Sequence, residues 1–122
     1  MIWKKIKNDR FKINVQSNTS VFKQNTALFF KMLDYLQKQN FQVVVVTVPM
    51  YKSYLSKRNS KILQRRDSVL TIIEKEYSNV TLFLKEEDTL SYMVYDFKNQ
   101  SHFNPKGATV FSKQLDSILN KF

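Results

Sequence analysis

The segment Asp96–Ser112, DFKNQSHFNPKGATVFS, holds the only histidine and the only glycine of the 122-residue chain. An imidazole accepts and returns protons readily near neutral pH, so His102 is a candidate general base. Such a base needs a nucleophile to activate and a neighbouring acceptor that orients its ring. Asn99 and Asp96, three and six residues before His102, are the two candidates for this orienting role.

The same segment also has a purely structural interpretation. Asn104 is suited to the N-cap of a helix, and Pro105 is suited to the first helical position, where its missing N–H costs nothing. Gly107 then allows the first turn to pack tightly, and His102 is an ordinary loop residue. Both interpretations predict that a helix begins near Pro105, and the residue types alone leave the choice between them open.

The position of His102 in the chain favours the catalytic interpretation. In open parallel sheets, ligand-binding and catalytic groups gather where the carboxyl ends of strands meet the starts of helices. His102 follows a segment that itself follows the predicted strand 80–84, and it lies directly before the predicted helix start. We therefore expect its ring at the edge of the sheet where the strands end.

The elements that position this histidine follow from hydrophobic spacing. Phe41–Val48 is short, β-branched and continuously apolar, which predicts a central strand covered on both faces. Asn40, directly before it, is expected to end the preceding helix in the left-handed conformation. The remaining pattern predicts helices over residues 21–39, 61–77 and from Pro105 onward, and a second strand over residues 80–84.

This order of helices and strands predicts an α/β fold with a short parallel sheet, a small three-layer α/β/α arrangement of flavodoxin-like layering. The length predicts one domain over residues 1–122, with residues 1–20 as an N-terminal arm or strand. Two or three strands are few, because about five are usual in a sheet. The sheet is therefore expected to be incomplete, with an N-terminal segment, a second copy or a missing segment as the alternatives for its open edge.

A family resemblance rests on HFNPKGATVFSKQL, which resembles the final motif of SGNH/GDSL-type hydrolases and acyltransferases: D-x-x-H, then x-N-x-x-G-A and an amphipathic helix. It is similar in particular to the bacterial cell-envelope and polysaccharide O-acetylation branch, and it covers about residues 21–122. The resemblance implies an SGNH-like fold, acylated carbohydrate or cell-envelope polymer as substrate, and no cofactor. It also implies that His102 deprotonates a serine and that Asn104 and Gly107 support the site.

The chain departs from this family at two places. The family's aspartate stands three residues before its histidine, where this chain has Asn99, and Asp96 can replace it only if the loop folds back. The family's Gly-Asp-Ser nucleophile motif has no counterpart, because Gly107 is the only glycine. We therefore expect the chain to correspond to a C-terminal half whose nucleophile block lies on a missing N-terminal segment, and to be inactive or incomplete alone.

The charge supports an alternative function from another class. The formal net charge is +10, and a basic cluster surrounds the start of the second long helix. Its members, candidates for anion binding, are Lys57, Arg58, Lys61, Arg65 and Arg66. A non-enzymatic basic module that binds nucleic acid, an anionic polymer or a partner chain is thus the alternative. Because no recognised nucleic-acid motif accompanies the cluster, nucleic acid is not a partner in the leading interpretation.

Other classes of site and location are limited by composition. The absence of cysteine excludes cysteine nucleophiles and thiolate zinc sites, and a single histidine leads us to expect no metal site. No run of about 18 apolar residues occurs, so no transmembrane segment is expected in this chain. An extracytoplasmic or membrane-associated location is expected if the chain belongs to a longer envelope protein, and a cytoplasmic one otherwise.

Overall fold

A computed structural model describes residues 18–122 of the chain. The strand predicted around Phe11–Val15 lies outside the described residues, as does most of the predicted N-terminal arm. The described part contains, in chain order, the helix α1 (Thr19–Lys38), the strand β1 (Val43–Thr47), the short helix α2 (Lys52–Leu55), the helix α3 (Ser60–Glu76), the strand β2 (Val80–Leu84), a 3₁₀ turn (Val94–Asp96), the strands β3 (Phe97–Asn99) and β4 (His102–Phe103), and the helix α4 (Pro105–Leu119). Within residues 18–122, no helix combines the length and the apolar character that crossing a membrane requires.

The long helices agree with the prediction, because their ends carry local signals. At the start of α1, the Asn18 side chain accepts a hydrogen bond from the N–H of Val21 at 3.0 Å. Beyond its other end, Asn40 has a φ of 59°, which confirms the predicted left-handed residue. The start of α3 is capped in the same way by Asn59, whose side chain accepts from the N–H groups of Lys61 and Ile62.

The sheet confirms the α/β class, since β1 and β2 form a short parallel pair. The prediction for β1 differs from the structure in its surroundings. Every residue of β1 is only partly buried, and within residues 18–122 the strand pairs with β2 alone. An apolar run identifies a strand but does not count its neighbours, so the expected cover on both faces is not seen in the described residues.

The chain divides into two compact units. Of the described residues, 18–45 and 58–82 form the α1–α3 unit, and 46–57 and 83–122 form the hairpin unit. The core of the α1–α3 unit is built on Leu33 and Ile73, whose side chains are fully buried, and on Tyr77. Phe30 stacks on the Tyr77 ring with a centroid distance of 6.0 Å, which ties α1 to the end of α3.

Tyr77 provides a pH-sensitive contact in this unit. Its phenol donates a hydrogen bond to the carboxylate of Asp34 at 2.5 Å. This bond, together with burial and the charges of Asp34 and Glu76, raises the pKa of Tyr77 to about 12. Because the folded value lies above the unfolded value of about 10, the stabilisation is complete below pH ~10 and is lost as pH rises through ~12.

Replacing Tyr77 by phenylalanine should therefore lower the free energy of unfolding by about 1 kcal/mol at neutral pH, because the ring is retained and only the hydrogen bond is lost. Urea unfolding would measure the change. In an ultraviolet titration, Tyr77→Phe would lose one of the two tyrosines whose pKa is raised to about 12, the other being Tyr92. Tyr35→Phe is the control, because Tyr35 is 61% exposed. Equal effects of the two substitutions would contradict a specific role for the Asp34 contact.

The core of the hairpin unit is aromatic. Phe97 is 1% exposed and Tyr92 is 4% exposed, and their ring centroids lie 6.4 Å apart. Phe103 packs on both, at 5.3 Å from Phe97 and 5.2 Å from Tyr92. On its other side, Phe103 lies 5.8 Å from Phe111 of α4. These rings fix β3 and β4 against α4, and with them the segment that carries His102.

Candidate active site

His102 lies on a short antiparallel hairpin, which the sequence did not predict. Phe97 pairs with Phe103 and Asn99 pairs with His102, and Gln100 and Ser101 form the turn between them. The structural interpretation made His102 a loop residue, whereas the structure has it as the first residue of β4. Strands of three and two residues are too short for an alternating pattern to be visible in the sequence.

The side chain of Asn99 determines which ring nitrogen of His102 is protonated. Its Oδ1 accepts the backbone N–H of Ser101 at 3.1 Å. A backbone N–H only donates, so this bond fixes the amide with its oxygen toward the turn. The same Oδ1 lies 2.9 Å from Nδ1 of His102, which must therefore carry the hydrogen. In the neutral ring, this assignment leaves the Nε2 lone pair as the basic site, on a side chain that is exposed.

Ser101 contacts the same ring nitrogen but is not activated by it. Its Oγ lies 3.1 Å from Nδ1 of His102. Because Nδ1 carries the hydrogen that Asn99 accepts, Ser101 Oγ can only accept from that nitrogen. The hydroxyl proton of Ser101 therefore has no base at Nδ1, and Ser101 acts as a second acceptor that holds the ring.

Asp96, the other candidate for orienting the ring, is occupied elsewhere. Its side chain is buried, and Oδ2 accepts the backbone N–H of Met93 at 2.8 Å, which closes the 3₁₀ turn. Its backbone carbonyl accepts the N–H of Asn104 at 3.0 Å. The loop does not fold back so as to bring this carboxylate to His102, and Asn99 is the residue that contacts the imidazole.

The helix behind His102 begins where the sequence predicts. Pro105 is its first residue, and Asn104 Oδ1 accepts the N–H of Gly107 at 3.0 Å. The Nδ2 group of Asn104 donates to the carbonyl of Tyr95, so the cap also contacts the 3₁₀ turn. A Cβ at Gly107 would lie 2.0 Å from the Asp96 carbonyl oxygen, which confirms that the glycine permits tight packing.

The members of the predicted basic cluster are divided between the two units. Lys57 belongs to the hairpin unit, whereas Arg58, Lys61, Arg65 and Arg66 belong to the α1–α3 unit. Two of its members are engaged locally: Arg65 donates to Thr19 Oγ1 at 2.7 Å, and Arg66 donates to Asp67 at 2.9 and 3.0 Å. Neither contact indicates a ready-made anion site, so anion binding stays a prediction.

The hairpin unit contains a cleft of about 280 Å³ that the sequence analysis did not predict. The lining residues among 18–122 are Met50, Tyr51, Lys52, Thr89, Tyr92, Met93, Val94 and Phe97. The available signal was a methionine next to a tyrosine in the segment after each predicted strand, Met50–Tyr51 and Tyr92–Met93. Within the same described range, no three potential metal ligands of the His, Cys, Asp or Glu type lie together.

After comparison with known proteins, the sequence motif around His102 is the basis on which a function can be assigned. The SGNH/GDSL resemblance rests on the residues around His102 and on the order of elements that precede them. No family model, no curated protein and no solved structure matches the chain.

Proposed function

We propose that the chain is an SGNH hydrolase-like domain, related to esterases and O-acyltransferases that act on carbohydrate or cell-envelope polymers. In this proposal His102 is the general base, Asn99 orients it, and Asn104 and Gly107 support the helix start behind it. The observation that carries the proposal is the 2.9 Å contact between His102 Nδ1 and an Asn99 oxygen whose orientation Ser101 fixes.

In this arrangement the imidazole can act first as the general base and then as the general acid of acyl transfer. Nε2 accepts the proton of an attacking hydroxyl while the oxygen of that hydroxyl bonds to the acyl carbon. The imidazolium then returns that proton to the leaving oxygen as the acyl bond breaks. Asn99 keeps the Nδ1 hydrogen bonded throughout. Because its amide is neutral, it stabilises the imidazolium less than a carboxylate does.

The nucleophile in this proposal comes from another polypeptide segment. The sequence contains no Gly-Asp-Ser motif, since Gly107 is its only glycine and starts a helix. Ser101 is excluded by the tautomer argued above. The chain by itself is therefore proposed to be inactive, with a hydroxyl delivered to His102 Nε2 when the site is completed.

The first test concerns the tautomer. Long-range ¹H–¹⁵N correlation spectra of the neutral imidazole are expected to show the hydrogen on Nδ1 and a bare Nε2 in the unaltered chain. Asn99→Ala should lose this preference, because the fixed acceptor is removed, whereas Asn120→Ala, at an exposed asparagine after the end of α4, should keep it. A hydrogen on Nε2 in the unaltered chain would leave no base at the exposed nitrogen and would refute the proposed role of His102.

The second test concerns completeness. Hydrolysis of p-nitrophenyl acetate by the purified chain is expected to exceed that of a His102→Ala variant by no more than an equal concentration of free imidazole contributes, because no activated hydroxyl of residues 18–122 faces the ring. Both proteins need matched far-ultraviolet circular dichroism spectra for the comparison to count. A burst of p-nitrophenol that depends on His102 would show that the chain carries its own nucleophile.

A further inference from the structure

The cleft of the hairpin unit lies where small molecules are bound in parallel α/β sheets. One wall, Met50–Lys52, follows the carboxyl end of β1, and the other, Thr89–Phe97, follows the carboxyl end of β2. Crevices outside the carboxyl ends of parallel strands are the usual binding positions in such folds. Its volume is just below the range of about 300–1,000 Å³ for ligand pockets, so a single ring is the size that fits.

The apolar part of the cleft is a fixed aromatic surface. Phe97 and Tyr92 are buried, and the Tyr92 hydroxyl is hydrogen-bonded to Gln114 of α4. Tyr51 packs on Phe97 with a centroid distance of 5.7 Å and is only partly buried. Met50 and Met93 supply adaptable apolar contacts to the same cleft. A ligand with a flat apolar face therefore finds a preformed surface.

The charge among the described lining residues of the cleft is positive. The Lys52 ammonium lies 6.0 Å from the centroid of the Tyr51 ring, and Lys52 is exposed. No acidic residue is among the described lining residues, and the structure gives Lys52 no ion pair within residues 18–122. Thr89 adds an exposed hydroxyl. From this combination we infer that the cleft binds a single-ring compound that carries a carboxylate or phosphate.

The cleft is joined to the histidine by the hairpin. Tyr51 donates its backbone N–H to the carbonyl of Gln100 at 2.9 Å, in the turn that holds His102. Phe97 lines the cleft and stands two residues before Asn99, about 7 Å along a strand. A bound ring would thus lie in the hairpin unit that carries the candidate base, although His102 itself is not among the described lining residues. The ring's role as the acidic sugar of an acyl-transfer substrate rests on the proposed function, whereas the binding itself does not.

Methyl NMR of the four methionines tests the inference directly. Titration with glucuronate or benzoate is expected to shift the Met50 and Met93 methyl signals, which lie in the cleft, and to leave Met32 of α1 unchanged. The two acids separate a sugar ring from an aromatic ring as the preferred form. If acetate shifts the two methyl signals as strongly as either acid does, or if neither acid shifts them, the inference is wrong.

Charge variants complete the test. Lys52→Met should weaken binding of the preferred acid about fivefold, the upper end of the effect of one exposed charge pair, about 1 kcal/mol. Lys121→Met, a matched change at an exposed lysine two residues beyond the end of α4, should leave binding unchanged. An equal loss there would mean non-specific attraction and overturn the inference. These titrations measure binding without any turnover. The tests of the proposed function and of this cleft therefore fail independently.

Discussion

Phe97→Ala is expected to lower the free energy of unfolding by about 3–5 kcal/mol, the range for deleting a fully buried aromatic ring. Phe97 is 1% exposed, and it contacts Tyr51, Tyr92 and Phe103 with centroid distances of 5.3–6.4 Å. Removing the ring leaves three aromatic neighbours around a cavity, and β3 loses the contact that fixes it to α4 through Phe103.

Urea unfolding followed by circular dichroism would measure this loss. Phe122→Ala is the matched control, because Phe122 is the same residue type at 58% exposure and should change the unfolding free energy by less than about 0.5 kcal/mol. Similar midpoints for Phe97→Ala and Phe122→Ala would contradict the position of Phe97 at the centre of the hairpin core.

Gly107→Ala is expected to be the second most damaging substitution, with a net loss of about 2 kcal/mol or more. The added Cβ would meet the Asp96 carbonyl oxygen at 2.0 Å and a Phe103 ring carbon at 2.7 Å. Relieving such contacts moves backbone, and overpacking of this kind costs about 1–3 kcal/mol or more. The gain in helix propensity from glycine to alanine, about 1 kcal/mol, offsets only part of the cost.

Hydrogen exchange gives the specific readout for Gly107→Ala. The amide of Asn104, which donates to the Asp96 carbonyl at 3.0 Å, should exchange faster when α4 is pushed away from that carbonyl. Lys106→Ala serves as the control, because Lys106 is exposed one position away on the same helix turn. A Gly107→Ala variant that is more stable than the unaltered chain would show that α4 has room at this position.

The sequence predicted the elements whose signals are local. The predicted strand 80–84 coincides with β2, and the cap and proline at Asn104–Pro105 place the start of α4 correctly. Asn40 takes the left-handed conformation that its type permits. These features depend on spacing, capping chemistry and backbone preference within a few neighbouring residues, so the sequence contains enough information to place them.

The sequence did not predict the hairpin, the 3₁₀ turn or the short helix α2. None of them is long enough to complete two periods of the pattern that would reveal it. The hairpin and the 3₁₀ turn also depend on contacts to α4. Asp96 illustrates the consequence: its carboxylate was an open candidate for orienting His102, but it closes the 3₁₀ turn through Met93 instead. No spacing rule distinguishes these two uses of the same side chain.

By itself, the sequence determined the α/β class, the three long helices, and a lone histidine set just before a capped helix. Tertiary structure decided which residue holds that histidine and which tautomer results, because both depend on a turn that pairs Asn99 with His102. It also decided that aromatic residues from two separate segments share one cleft. Local backbone preferences depend on each residue and its near neighbours in the sequence. A site, in contrast, brings together residues from separate segments, and these meet only when the core has packed.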